Sequence, residues 1–392
     1  MIFIGPGFGG QAKVSRWVRT YPSQPVVTRR SNAFQTSGPV LPIAVASPQE
    51  EGIMVPRSWL AGGLALGAVS FALWASQPLA APPQSSTPSG QPASSPSVVV
   101  LPWGAGHGEV GLHHAKPHQP AEGVTSVALA ADGSTLLLDR VNHRVVRVGP
   151  SGSASDAWVL TEAPPDAEDV AVAQDGAIGL YSPLRARFWV HEGTHLVAEL
   201  SVPRGLRELV SIDFGPSRLV LARSAHQETY RLGSPSAPQT LSSVLQSKRE
   251  GAFELPDGSG VATKLDSHQR ALLLVIENGK DRARLLRSFP VSGKPVLSAR
   301  VVGVQDGVAC VRLEHEDPGS VIRTRRSLAC LATTSGSKVL ESDLGPVDDV
   351  YVPRRSFAMG GSPARLVFMQ PRPTGLHVTT WAVPRAAEGG TP

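Results

Sequence analysis

The chain has 392 residues, of which 41% are hydrophobic, 18% charged and 5% aromatic, and it contains 39 glycines and 35 prolines. This composition favours short strands joined by turns over long helices, and two cysteines are too few for a disulfide scaffold or a cysteine-rich zinc module. The net charge of +5 comes mainly from residues 1–81, which hold six basic and two acidic side chains, so we predict no nucleic-acid partner for the remainder.

The first predicted element is an apolar run, WLAGGLALGAVSFALWA, over residues 59–75. Its seventeen residues lie at the short limit for a transmembrane helix and exceed most signal-peptide cores. The basic residues of this region all lie upstream, so we expect the C-terminal part to be exported. Residues 54–81 are therefore predicted to be either a cleaved signal peptide or an uncleaved membrane anchor.

Three further segments are predicted to be largely disordered. Residues 1–53 are expected to be cytoplasmic, or untranslated if Met54 is the true start. Their G-x-G-x-x-G pattern is not expected to bind a dinucleotide, because a lone βαβ unit has no sheet to join. Residues 82–97, PPQSSTPSGQPASSPS, form a Pro/Ser-rich linker, and residues 386–392 form a tail.

A histidine-rich tract, HGEVGLHHAKPH, follows the linker. Neutral imidazoles are good zinc or copper ligands, although such tracts also occur as exposed loops without a metal. The weak metal-ligand candidates in this tract are His107, His113, His114 and His118.

A repeat begins at residue 124, where VTSVALAADGSTLLLDRVNHRVVRV places Asp132 and Gly133 between two alternating apolar runs. Asp175 and Gly176 occupy the same place 43 residues later. A period of 40–50 residues with about four strands per unit predicts an all-β protein with a β-propeller fold. Residues 98–385 hold six such units, with seven blades as the alternative, and SVVVLPW is expected to pair with the last blade.

The first unit resembles the NHL repeat, in which a second strand ends in Asp and is followed by Asn-x-Arg. Asp139, Asn142 and Arg144 occupy those positions, and the preceding segment is similar to exported bacterial propellers of this type. The resemblance implies a six-bladed binding platform, and no cofactor is expected.

The enzyme alternative is a metal-dependent lactonase or esterase similar to the gluconolactonase family. Glu122 opens the first blade as a Glu-Gly pair does in that family, which implies a divalent ion such as calcium or zinc in the channel. Only three asparagines occur in the chain, however, and that family takes metal ligands of this type from several blades.

The stretch HEGTH, from His191 to His195, matches the H-E-x-x-H spacing of zinc proteases. Gly193 and Thr194 oppose a helix, and the repeat places this stretch at the turn between two strands, so we predict no zinc site here.

Cys310 and Cys330 flank a predicted hairpin symmetrically, so they are candidates for a disulfide in an oxidising compartment. We thus expect an extracytoplasmic protein, secreted, periplasmic or anchored through residues 59–75. Its predicted role is to bind a protein, peptide or glycan of the cell envelope without catalysis.

Overall fold

The computed structural model describes residues 95–150, 158–160, 163–206, 208–279, 282–317 and 323–386. In these ranges the chain forms six antiparallel sheets, five with four strands and one with five. The inner strands of the first and last sheets contact each other, so the blades form a closed ring around a channel. The predicted all-β, six-bladed propeller is confirmed.

The strands are numbered in chain order. The strands of the first three blades, with the one that precedes them, are β1 (Ser97–Leu101), β2 (Val124–Leu129), β3 (Thr135–Asp139), β4 (Arg144–Val148), β5 (Trp158–Leu160), β6 (Asp169–Val172), β7 (Ile178–Ser182), β8 (Arg187–Glu192), β9 (His195–Ser201), β10 (Leu209–Phe214), β11 (Val220–Ser224), β12 (Glu228–Ser234), β13 (Ala237–Pro238) and β14 (Arg249–Glu250).

Blade 1 comprises β2–β5, blade 2 β6–β9, and blade 3 β10–β13 with β14 paired to β12. The strands of the other three blades are β15 (Phe253–Glu254), β16 (Gly260–Leu265), β17 (Ala271–Asn278), β18 (Ala283–Pro290), β19 (Ser298–Gln305), β20 (Val308–Glu316), β21 (Thr324–Ala332), β22 (Lys338–Pro346), β23 (Phe357–Gly360), β24 (Arg365–Arg372) and β25 (Gly375–Ala382). Blade 4 comprises β15–β18 and blade 5 β19–β22. Blade 6 contains β23–β25, and β1 is its outermost strand.

The Asp-Gly turns connect the first two strands of their blades. Gly133 and Gly176 have φ angles of +82° and +88°, which favour glycine because it has no Cβ. Asp132 accepts a hydrogen bond from the backbone N–H of Ser134 at 2.9 Å, and Asp175 accepts one from that of Ala177 at 3.2 Å, so the aspartate of each of these two turns helps to fix it.

The ring closes through β1, which pairs antiparallel with β25 and sets Val99 opposite Val378. This is the pairing that the SVVVLPW segment predicted. Blade 6 therefore combines the first strand of the propeller with its last three, so one sheet holds both ends of the ring.

The apolar core lies between the faces of neighbouring blades. Phe188 of blade 2 packs edge-on against Phe214 of blade 3, with ring centroids 5.4 Å apart. Similar clusters join blades 1 and 2, 4 and 5, 5 and 6, and 6 and 1. Alternating strands thus bury side chains on both faces, as repeated sheets in a ring require.

Blade 3 departs from the repeat. The 3-10 helix Pro216–Arg218 replaces its Asp-Gly turn, and the helix α1 (Leu241–Gln246) follows its outer strand. Thr240 caps α1 by accepting a hydrogen bond from the backbone N–H of Ser243. No helix in the described ranges is long and apolar enough to cross a membrane. The predicted membrane segment, like residues 1–53 and most of the linker and tail, lies outside those ranges.

Candidate functional site

The segment between β22 and β23 brings two arginines to the channel. Its last residues run beside the inner strand of blade 1, where the backbone N–H of Arg355 donates to the carbonyl of Thr125 at 3.1 Å. Arg354 and Arg355 therefore enter from blade 6 at the end of the channel where the inner strands begin. We call this end the mouth.

Arg355 crosses the channel and binds groups on three other blades. Its Nη2 lies 3.0 Å from Oδ1 of Asp169 in blade 2, and its Nη1 lies 2.5 Å from Oδ1 of Asp213 in blade 3. It also donates to the hydroxyl of Ser126 at 3.2 Å and to the carbonyl of Val170. One guanidinium thus ties four blades together across the axis.

Asp169 is fully buried, and its carboxylate has several partners. Besides Arg355, it accepts from the hydroxyl of Ser126 and, at 2.8 Å, from the backbone N–H of Ile212. Ser126, Asp169 and Ile212 are successive repeat positions 43 residues apart, so the repeat itself builds this part of the network. A buried carboxylate needs such partners to remain ionised.

A second arginine, Arg223, also binds Asp213 in the channel. Arg223 of β11 pairs with Asp213, and its guanidinium lies 4.1 Å from the ring centroid of Phe253. Burial, and then repulsion from Arg355, lower the pKa of Arg223 to about 9, while Asp169 opposes the shift. Arg223 therefore remains cationic at neutral pH, and the row Arg223, Asp213 and Arg355 spans the channel.

This row divides the channel into two cavities. The cavity at the mouth, here called the mouth cavity, has a volume of about 140 Å³, and the one beyond the row, the distal cavity, has about 230 Å³. Arg223 and Arg355 line both cavities, as do Ser211, Phe253, Val302 and Phe357, so the arginine row is a charged partition where the two cavities adjoin. A ligand that enters the mouth meets this charged row at its inner end.

The mouth cavity is cationic. Five arginines and no carboxylate line it: Arg223, Arg300, Arg312, Arg354 and Arg355. Apolar side chains such as Phe253 and Phe357 form much of the remaining wall. Guanidinium groups at an apolar wall favour binding of carboxylates and other oxyanions.

Carboxylates behind the lining partly balance these cations. Arg354 lies 3.2 Å from Glu168 and stacks 5.5 Å from the ring centroid of Tyr181. Arg312 lies 3.2 Å from Glu314, while burial lowers the pKa of Arg312. The pKa of Glu314 is lowered overall, because the Ser298 hydroxyl and nearby arginines outweigh the opposing effect of burial. Glu314 is therefore a carboxylate at neutral pH.

The sequence-based metal candidates do not join this site. Glu122 and His113 exchange two backbone hydrogen bonds in the loop before blade 1, and neither residue lines the mouth cavity. The other three, His107, His114 and His118, belong to the same loop. Across residues 95–386, apart from the gaps, no three His, Cys, Asp or Glu side chains converge in a way that could hold a metal ion.

The residues of the NHL-like motif form one buried network in blade 1. Asp139 binds the side chain of Arg144 at 2.9 Å and that of Asn142 at 2.8 Å. Arg144 also donates to the carbonyls of Ala105 and Glu109, at 3.0 and 2.8 Å. The motif therefore fastens the loop that precedes blade 1 to the blade.

The HEGTH stretch forms a β-hairpin. His191 and Glu192 end β8, His195 begins β9, and Glu192 pairs with His195 across a two-residue turn in which Gly193 has φ +56°. The two histidines thus lack the helical spacing that a zinc protease requires, as the sequence predicted. His191 is buried, and burial lowers its pKa.

Cys310 and Cys330 are paired across β20 and β21, and the structure joins them by a disulfide. They lie in the core between blades 5 and 6, against Leu328 and Phe368. The bond thus fastens two central strands of blade 5, well inside the blade rather than at the channel.

No family model matches the chain, and no curated protein sequence matches it. Among solved structures, a catalytically inactive virginiamycin B lyase from Staphylococcus aureus with quinupristin is 11% identical at a TM-score of 0.38, covering 74% of this chain and 100% of its own. A gluconolactonase from Xanthomonas campestris is 13% identical at a TM-score of 0.30, with coverages of 74% and 99%. The Cps50 (Swd1) β-propeller domain of Myceliophteria thermophila is 11% identical at 0.32, with coverages of 67% and 96%. Likeness at this level assigns no activity.

Proposed function

We propose that this protein is an exported or membrane-anchored, NHL-like propeller that binds a protein, peptide or glycan of the cell envelope without catalysis. The mouth cavity is the proposed binding site. The observation that carries the proposal is the arginine row across the channel, because it sets fixed charged groups at the inner end of a cavity with apolar walls. A pocket with an apolar wall and a few fixed polar groups is typical of ligand sites.

The same row argues against a metal-dependent lactonase. A divalent cation in the channel needs carboxylate or amide oxygens that are free to coordinate it. Asp169 and Asp213 supply the carboxylates at the partition, and guanidinium groups already bind both. Glu122, the residue that suggested this alternative, does not line the cavity. The residues around the channel therefore do not fit a bound metal ion.

Two features support an extracytoplasmic location. The apolar run of residues 59–75 follows a basic segment, as in exported proteins. The Cys310–Cys330 disulfide suits an oxidising compartment, since thiols in the cytosol are kept reduced. The buried network of Asp139, Asn142 and Arg144 supports an NHL-like role for that motif as a fastener between a loop and its blade.

The experiment blocks each end of the channel separately. Ala225 lines the mouth cavity, and Gln305 lines the distal cavity, so Ala225→Trp and Gln305→Trp each fill one cavity. Cell-envelope extract is passed over the immobilised full-length wild type and both variants, and bound proteins, peptides and glycans are quantified. Circular dichroism and thermal unfolding of each variant verify that it is folded.

A specific partner should bind the wild type and Gln305→Trp equally, and at least ten times less of it should bind Ala225→Trp. The same capture by all three proteins, or none by the wild type, would refute the mouth as the binding site. Hydrolysis of lactones by the wild type would refute a non-catalytic role.

A further inference from the structure

Two arginines of the mouth cavity face each other directly. In the register of β19 and β20, Arg300 is the cross-strand partner of Arg312, and both line the cavity. Like charges at directly opposite positions on one face of a sheet destabilise it. This strand pair therefore holds two cations together at a site where solvent or a ligand must compensate them.

The carboxylates near Arg300 and Arg312 do not fully neutralise the positive charge at this place. Glu314 lies 3.2 Å from Arg312 and 3.7 Å from Arg326, and it accepts a hydrogen bond from the Ser298 hydroxyl. Arg326 also pairs with Asp349 at 2.5 Å. The side chain of Arg300 is exposed and forms no hydrogen bond or close ion pair with another described residue, although its charge helps to lower the pKa of Glu314. Three arginines thus share two carboxylates, which leaves an excess of one positive charge beside the cavity.

Further donors at the cavity lack acceptors. The Nε atoms of Arg223, Arg312 and Arg354 are buried, and no described group accepts a hydrogen bond from them. A buried guanidinium N–H without an acceptor is unfavourable, and an anion or ordered water removes that penalty. These atoms have almost no accessible surface, so a ligand in the cavity reaches them only if the guanidinium groups turn towards it.

The wall residues and the volume of the mouth cavity indicate the polarity and size of the rest of the ligand. Phe253, Val301, Val302 and Phe357 line the cavity beside the arginines, and its volume is about 140 Å³. A small apolar group fits such walls, whereas an inorganic phosphate has no apolar part to contact them. A planar monoanion with an apolar substituent matches both the charge and the surface.

We propose that the mouth cavity binds a carboxylate carried on a short apolar group, with Arg300 and Arg312 donating to its two oxygens. This inference rests on the proposed binding function and names the chemistry that the site recognises. The C-terminus of a peptide with an apolar last residue and a free short-chain acid both supply such a group.

Isothermal titration calorimetry of the full-length chain tests the carboxylate directly. The probes are 3-methylbutanoate, its neutral isostere 3-methylbutanamide and inorganic phosphate, at low salt. We expect 3-methylbutanoate to bind, the amide to bind at least tenfold more weakly, and Arg300→Gln to weaken the acid at least tenfold. Arg325→Gln is the matched control, because Arg325 lies on the same blade, pairs with Asp343 and does not line the cavity.

Equal affinity for acid and amide, no binding of the acid, or tighter binding of phosphate would overturn the inference. Arg300 is exposed, so its variant should fold, and circular dichroism verifies this. A pentapeptide ending in valine, compared with its C-terminal amide, separates the two sources. Tighter binding of the free peptide than of 3-methylbutanoate identifies a peptide C-terminus, and weaker binding identifies a free acid.

The two proposals fail separately. If the acid does not bind but partner capture is lost in Ala225→Trp, the carboxylate inference is wrong and the binding function stands. If the acid binds in an Arg300-dependent manner while capture is unaffected by Ala225→Trp, the site binds a carboxylate and the proposed partner binding is wrong.

Discussion

Replacement of Arg355 by methionine tests the role of the arginine row in the fold. Methionine retains much of the aliphatic volume but removes the cation that pairs with Asp169 and Asp213. The side chain of Arg355 is 12% exposed and that of Asp169 is 0% exposed, so solvent replaces little of the lost interaction. Breaking one partner of a buried ion pair lowers the free energy of unfolding by about 3–5 kcal/mol.

The expected loss lies at the lower end of that range, about 3 kcal/mol, because both carboxylates keep other partners. Asp169 retains the Ser126 hydroxyl and the Ile212 N–H, and Asp213 retains Arg223. Urea unfolding at pH 7 measures the difference.

A double-mutant cycle assigns the loss to the ion pair. In an Asp169→Asn background, Arg355→Met should lower the stability by about half as much or less, because no buried charge is left alone. Arg385→Met is the control, since Arg385 is 72% exposed and its substitution should change the stability by less than about 0.5 kcal/mol. A loss below about 1 kcal/mol for Arg355→Met would refute the reasoning.

Three further predictions concern other parts of the propeller. Cys310→Ala with Cys330→Ala should lower the free energy of unfolding by about 3 kcal/mol, given a sequence separation of 20, and dithiothreitol should destabilise the wild type in urea but not this variant. Burial lowers the pKa of His191 below 6.5, so the unfolded chain binds a proton that the folded chain does not, and stability should decrease as the pH falls from 6.5 towards about 5. His191→Leu should reduce this slope in urea unfolding at several pH values, and His195→Gln, at an exposed site, should not. Asp139→Asn should lower the free energy of unfolding in urea by about 3 kcal/mol, because it removes the buried carboxylate that binds Arg144, and a loss below about 1 kcal/mol would contradict that role.

The sequence predicted the fold well where its turns are chemically distinct. The turns at Gly133 and Gly176 need a positive φ, so Asp-Gly marks them clearly and sets the 43-residue period. In blade 3, a 3-10 helix replaces the Asp-Gly turn and α1 (Leu241–Gln246) follows the outer strand. The sequence did not predict α1, because a short helix with one buried side chain, Val244, leaves almost no periodic signal.

The arginine site could not be predicted in the same way. Arg355 is 142 residues from Asp213 and 229 from Ser126 in the chain, and a repeat period does not state which side chains meet across a channel. Arg355 lies in the connection before β23, outside the strands that the repeat pattern marks. The only local sign of this site in the sequence is the pair Arg354–Arg355 before an apolar strand, and such a pair is equally typical of an exposed turn.

The central claim is that arginine side chains bind the carboxylates in the middle of the channel, which leaves no set of free oxygen ligands for a metal ion there. Its most direct test is the metal content of the full-length protein, purified without a histidine tag and dialysed against a weak chelator, with lactone hydrolysis assayed on the same sample. The arginine row predicts much less than one calcium or zinc per chain and no hydrolysis. One retained divalent ion per chain, with hydrolysis lost in Asp169→Asn, would contradict it.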